Sequence, residues 1–242
     1  MISSVQGADV IWRPLPKQAV ALSCPARELL YGGSKGSAKT DYLVACVLPL
    51  LALAHQKYLA TGRKQHRCRM IVFRKNLEDL KDAIVKSFDI YPGFDPEMGQ
   101  EGYHKNDKTW TFTSGATLAY RHLDGPTDHL GYNGHEYVAI LFDEVQQIPY
   151  EAYAFLSWQN RSKDPDYHRL RMIRSTANPG GYDWVASHFS IDEAPEGGKI
   201  FTVYLYDDGE QTHLCEFTPS FWLEEIENIP NIESDRFYED YE

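Results

Sequence analysis

Glu28-Leu29-Leu30-Tyr31-Gly32-Gly33-Ser34-Lys35-Gly36-Ser37-Ala38-Lys39-Thr40 is the stretch on which the reading of this sequence turns. Its first four residues are a short apolar strand candidate, and residues 41–59 read as a helix. Between them, Gly33 to Thr40 keeps the spacing G-x-x-x-x-G-K-[ST], with Ala38 in place of the second glycine. Strand, loop and helix in that order are the context that makes the motif credible. Phosphate needs several converging backbone N–H donors, and a helix N-terminus supplies them with a favourable dipole. The backbone of Gly33, Ser34, Lys35, Gly36, Ser37 and Ala38 would form the cradle. Lys39 would reach the β/γ-phosphates and the Thr40 hydroxyl would bind Mg²⁺. Ala38 adds a methyl group where a glycine usually lets the loop approach its ligand. A glycine-rich turn without nucleotide is the bland reading; the agreement of strand, loop, Lys-Thr pair and helix favours the phosphate site.

Downstream, residues 137–142 form a continuous apolar run ending at Asp143-Glu144. Such a run suits a central parallel strand buried on both faces. Ligands of open α/β sheets bind at the carboxyl edge of the strands. An Asp at that edge can hold a Mg²⁺ shell, and an adjacent Glu can orient or deprotonate an attacking water, as in-line attack on a γ-phosphate requires. A third strand candidate, residues 170–176, closes on Ala177-Asn178-Pro179-Gly180-Gly181. Thr176 or Asn178 would either contact the γ-phosphate or serve turn chemistry alone; the residues leave both open.

Residues 70–73 read as a buried strand and 77–88 as an amphipathic helix. Residues 110–112 and 117–120 flank Ser114-Gly115 as a hairpin, 150–159 read as a helix, and 200–205 with 213–217 suggest a second hairpin. Residues 1–28 read as irregular, broken by Pro14, Pro16 and Pro25. Alternating strands and helices imply an α/β fold, a mostly parallel central sheet with helices on both faces and hairpin additions.

Composition sharpens this. The 242 residues carry 24 Lys+Arg against 35 Asp+Glu, a formal charge of −11. The acidity is local: residues 191–242 hold 15 acids and two bases, whereas residues 1–190 hold 22 bases and 20 acids. Charge alone therefore does not exclude a nucleic-acid partner for the body of the chain. Cys24, Cys46, Cys68 and Cys215 are dispersed, which argues against a disulfide framework or zinc site. The N-terminus has no basic segment followed by an apolar run, and the apolar stretch 42–54 is interrupted by Pro49, so a soluble protein is expected.

Taken in order, Pro16-Lys17-Gln18, residues 31–40, Phe73-Arg74-Lys75, Tyr132-Asn133-Gly134-His135-Glu136-Tyr137, residues 140–144 and 175–181 resemble the N-terminal packaging ATPase domain of the large terminase subunit of tailed bacteriophages. The resemblance covers roughly residues 14–185. It implies a P-loop NTPase of the ASCE type that uses ATP and Mg²⁺ to translocate double-stranded DNA into a procapsid. By matched position, Gln18 is the glutamine near the adenine and Lys35 an early basic residue able to act in cis. Lys39 and Thr40 are the phosphate and Mg²⁺ contacts, Asp143 the metal-shell acid and Glu144 the catalytic acid. Thr176 and Asn178 form the coupling motif, and Arg74 is a basic residue after the second strand. Family motors also use an arginine acting across a subunit boundary; Arg121 and Arg161 are the candidates, each with a solvated surface role as the alternative. The implied partners are the portal protein, the small terminase subunit and further copies in a ring, a pentamer, in the host cytoplasm during virion assembly.

The family's full subunit also carries a C-terminal nuclease domain. Residues 1–205 are expected to be the ATPase domain and 206–242 an acidic segment leading toward that domain, so no nuclease activity is expected here. The basic loop 63–69 and the cluster Arg161, Lys163, Arg169, Arg171, Arg174 are candidate phosphate contacts, with solvated loops as the alternative and, for Arg171 and Arg174, commitment to strand edges. Two other functions fit the motifs: a helicase-like nucleic-acid motor, and a nucleotide-binding assembly module with little turnover.

Overall fold

The computed structural model describes residues 11–24, 26–33, 38–178 and 184–189, with the backbone of 201–205 and 213–217. In chain order the elements are α1 (Pro16–Ser23), β1 (Glu28–Gly32), α2 (Lys39–Ala45), α3 (Leu48–Thr61), β2 (Arg69–Arg74), α4 (Leu77–Phe94), β3 (Tyr103–His104), β4 (Thr109–Thr111) and β5 (Thr117–His122). They continue with β6 (Ala139–Phe142), α5 (Tyr150–Ser157), α6 (Pro165–His168), β7 (Met172–Ala177), α7 (Trp184–His188), β8 (Phe201–Leu205) and β9 (His213–Phe217).

The strands form one mixed sheet in the order β3-β4-β5-β2-β6-β7-β1-β8-β9. Its centre, β5-β2-β6-β7-β1, is parallel throughout, with antiparallel hairpins added at both edges. Successive side chains point to opposite faces, and the two hydrophobic clusters sort by that rule. Leu29, Tyr31, Met70, Val72, Ala139 and Leu141 face one way, toward residues of α2, α3 and α4. Leu30, Ile71, Phe73, Ile140, Phe142 and Ile173 face the other, toward residues of α5 and α7. Two buried faces explain why these strands are unbroken apolar runs.

Two local expectations are corrected. Residues 41–59 are not one helix. Proline in a helix interior removes a donor and clashes with the carbonyl four residues earlier; the chain breaks at Cys46-Val47 and restarts with Pro49 in the first turn of α3. Residues 16–23, read as irregular, are helical. Pro16 takes the first helical position, where its missing N–H costs nothing, and the Leu15 N–H donates to Gln18 Oε1 at 2.7 Å. By length and composition, Lys39–Thr61 is also long and apolar enough to cross a bilayer. Much of its apolar surface packs in the core: Tyr42, Leu43, Val44, Leu50, Leu51 and Ala54 are buried.

Candidate active site

Parallel register brings the strand ends together. Tyr31 pairs with Thr176, Phe142 with Ser175, and Phe73 with Phe142. Gly33, Arg74, Asp143, Thr176 and Asn178 therefore follow one another along the same carboxyl edge. β7, which carries Thr176, lies between β1 and β6, the strand that leads into the acidic pair.

Ala38, at the mouth of α2, has φ 51° and ψ 34°, the left-handed region that favours glycine. Its carbonyl starts the helix by accepting from Tyr42 N–H at 3.2 Å. The same carbonyl accepts from Gln18 Nε2 at 2.8 Å, and the Gln18 side chain is buried. Gln18 thus ties α1 to the end of the loop through both ends of its amide. Lys39 is also buried; its Nζ donates to the Gly33 carbonyl at 3.0 Å and to Asn178 Oδ1 at 2.8 Å. Burial pushes the Lys39 ammonium below the ordinary lysine value, opposed by the charges of Glu144 and Asp143.

Two chains of polar contacts meet at the acidic pair. Asp143 Oδ2 accepts from Arg74 Nη1 at 2.5 Å, and Oδ1 accepts from Thr176 Oγ1 at 2.7 Å. The Thr176 hydroxyl in turn accepts the Glu144 N–H at 3.1 Å. Glu144 Oε1 accepts from Asn178 Nδ2 and Oε2 from Gln146 Nε2, both at 2.5 Å. Asn178 therefore links Lys39 to Glu144 through its two amide atoms. Glu144 has φ 55° and ψ 52°, a second non-glycine residue in the left-handed region. Strain of that kind persists only where its surroundings over-determine it, and here its backbone N–H and both carboxylate oxygens are held. Burial raises the Asp143 carboxyl above its ordinary value; the Arg74 charge and the Thr176 hydroxyl oppose that.

The donor chemistry fits a hard divalent cation carried in with phosphates. Mg²⁺ is commonly held by one or two carboxylates plus substrate oxygens and water. This edge offers Asp143, Glu144 and hydroxyls, and among the described residues there is no cluster of three or more His, Cys, Asp or Glu side chains to cage a metal unaided.

Of the residues expected from the sequence, Gln18, Gly33, Ala38, Lys39, Asp143, Glu144, Thr176 and Asn178 are linked at this edge. Thr40 follows Lys39 in the first turn of α2. Ser34, Lys35, Gly36 and Ser37 lie outside the described residues. The arginines are placed elsewhere. Arg121 donates to the Asp107 carbonyl at 2.6 Å and the Tyr120 carbonyl at 2.8 Å, so its guanidinium serves its own edge hairpin. Arg161 lies at the opposite edge of the sheet. Arg174 is buried, donating to the carbonyls of Cys24, Ala26, Arg27 and Ile173; it is a structural residue of the β1–β7 pair and no phosphate contact. Gln146 was not anticipated. Its one signal is its position two residues past Glu144, where a tight turn brings it back onto that carboxylate.

Fold and edge together define an α/β protein with a mostly parallel sheet and an acidic pair two strands from the glycine-rich segment between β1 and α2. No family model matches the sequence, and no curated protein matches it. Among solved structures, the large terminase of a thermophilic bacteriophage aligns with 75% of this chain and 44% of its own, at 18% identity and a TM-score of 0.48. The bacteriophage HK97 large terminase aligns with 77% of this chain and 37% of its own, at 16% identity and a TM-score of 0.49. The N-terminal domain of the bacteriophage phi29 DNA packaging ATPase aligns over 81% and 92%, at 14% identity and a TM-score of 0.38. The chain thus spans less than half the length of the two terminases it resembles.

Proposed function

We propose that this chain is the ATPase motor domain of a viral DNA-packaging terminase, hydrolysing ATP to translocate double-stranded DNA into a procapsid. The observation that carries the reading is the linked set Lys39–Asn178–Glu144 and Arg74–Asp143–Thr176, drawn from four strand ends onto one edge. The order of sequence motifs around that set supports the packaging family over other phosphate-loop enzymes.

When bound, ATP and Mg²⁺ supply the γ-phosphoryl group and the cation that neutralises its charge. Lys39 would exchange its contacts for β/γ-phosphate oxygens. Thr40 and Asp143 would hold the metal. Glu144 would take a proton from the attacking water, with Asn178 and Gln146 fixing its carboxylate. Thr176 touches both Asp143 and the Glu144 backbone, so displacement at either reaches β7; this is the coupling role the motif carries. Gln18 would stand near the adenine, offering the amide valences that Leu15 and Ala38 leave over. A pentameric ring on the portal, working with the small terminase subunit in the host cytoplasm, completes the proposal. A trans-acting arginine then comes from a neighbouring copy.

ATP binding and steady-state hydrolysis, with and without duplex DNA, test it. Lys39→Ala should abolish nucleotide affinity. Glu144→Gln should keep ATP bound while turnover falls roughly 10²–10⁴-fold. Unchanged nucleotide affinity in Lys39→Ala would end the phosphate-loop reading.

A further inference from the structure

The parallel sheet has a second edge, at the amino ends of β2, β6 and β7. There the basic loop before β2 meets the segment after α5, nearly a hundred residues later. Between them is a cavity of about 360 Å³ lined by His66, Arg67, Arg69, Arg161 and Lys163, with Glu136 the one carboxylate. Four permanent cations against one acid is an unusual concentration in a chain of net charge −11. The volume corresponds to about a dozen waters, enough for a phosphodiester and its neighbouring sugars.

The cations are held in place while keeping donors to offer. The Arg69 guanidinium lies over the Tyr137 ring at 5.1 Å. Arg161 is braced by the His135 carbonyl, through Nε at 3.3 Å and Nη2 at 3.2 Å, and by Gln159 Oε1 at 3.1 Å. Lys163 is exposed and stands 3.7 Å from Glu136. The acids nearest to this rim are already taken: Lys57, from α3, holds Asp164 at 2.9 Å and Asp166 at 2.8 Å.

We infer that this cavity is a docking site for the phosphate backbone of duplex DNA, on the opposite edge of the sheet from the nucleotide site. The identity of the polyanion rests on the packaging reading above; the site itself rests on the convergence of cations. Three tyrosines at this edge are engaged by cations, Tyr137 by Arg69, Tyr58 by Lys64 and Tyr167 by Lys57, and those rings are not offered to unpaired bases. Arginine and lysine contacts to phosphate position a duplex without reading its sequence, which is what a partner that slides past requires.

The test is duplex affinity of the full chain as a function of salt, for the parent and for the exposed pair Arg67→Ala/Lys163→Ala. The pair should lose roughly ten- to a hundredfold in affinity, and the slope of log K against log salt should fall by about one per cation removed. ATP affinity should stay at the parent value, since neither residue touches the carboxyl edge; the same readout establishes that the variant is folded. Arg67→Lys/Lys163→Arg should restore most of the binding. Duplex affinity and salt slope equal to the parent's would overturn the proposal. So would displacement of the duplex by micromolar inorganic pyrophosphate, which would mark a small-anion site. Loss of nucleotide binding in Lys39→Ala with duplex binding intact leaves this site standing, so failure here and failure of the nucleotide reading are separable.

Discussion

The two edges of one sheet handle charge in opposite ways. At the carboxyl edge Asp143 is 1% and Lys39 7% exposed, and the ionic groups that meet there are met by other groups of the chain. At the amino edge Arg67, Arg161 and Lys163 are exposed, and Arg67 acts on Asp164 through its charge. Buried charges are costly unless paired, so each member of the first set depends on its partners. Exposed cations cost little and are screened by salt, so members of the second set add nearly independently. The difference separates an edge of fixed, mutually dependent charges from an edge of solvated, nearly independent ones.

Removing Arg74 should break that comparison most visibly. Arg74 is 15% and Asp143 2% exposed at the side chain, and Arg74→Met leaves the carboxylate with Thr176 as its remaining donor. Breaking a buried pair from one side costs about 3–5 kcal/mol. Chemical denaturation at neutral pH, without nucleotide, should show a loss of that order, and Arg74→Met/Asp143→Asn should recover much of it. A loss below about 1 kcal/mol would mean that the carboxyl edge is as solvated as the amino edge.

The acid pair beneath the basic rim supplies a smaller and pH-dependent contrast. Lys57 hydrogen bonds outweigh the burial of Asp164 and hold its carboxyl below the ordinary value, while Lys57 itself is raised. A depressed carboxyl pKa stabilises the fold above its unfolded value and loses that contribution as pH falls through the folded one. The raised Lys57 pKa gives stability that is complete at neutral pH and is lost as pH rises through the folded value. Lys57→Met should therefore cost about 1–2 kcal/mol at pH 7, with the gap to the parent closing at strongly acid pH. Thermal melts across pH 3–8 measure it. Freed from Lys57, Asp164 and Asp166 would also repel a polyanion at the same rim.

Most of the carboxyl edge was legible in the sequence because its chemistry is written in contiguous residues. Gly33 to Thr40, Asp143-Glu144 and Thr176-Ala177-Asn178 each sit at the end of an apolar run, and a parallel sheet aligns such ends whatever the intervening chain does. What escaped was set by contacts across long separations. Arg174 follows two apolar residues in β7, and its sequence position suits a strand edge as well as a phosphate contact; only the fold shows that it reaches back about 150 residues to the carbonyls before β1. The convergence of residues 66–69 with 161–163 depends on strand order, which local periodicity does not encode. Helix α1 was hidden by reading Pro16 as a breaker when its position at the start of a helix makes it an initiator.

Backbone strain gives the last and smallest contrast. At the amino edge the positive-φ turns fall on glycines: Gly62 (65°) opens the basic loop, Gly115 (86°) packs on Lys64, and Gly134 (80°) lines the cavity. At the carboxyl edge two side-chain-bearing residues of the candidate site, Ala38 (51°) and Glu144 (55°), are in the left-handed region, where a side chain adds strain. A left-handed alanine costs about 1–2 kcal/mol, of which glycine would give back some through its greater unfolded-state freedom. Ala38→Gly should therefore stabilise the fold by about 0.5–1 kcal/mol in denaturant unfolding. If the strain instead holds Lys39 ready for phosphate, the same substitution should weaken ATP affinity while raising stability. Gly134→Ala, the reciprocal change at the amino edge, should destabilise by about 1–2 kcal/mol and leave ATP affinity untouched. Parallel shifts of stability and affinity in both variants would show that the two edges do not divide strain as described.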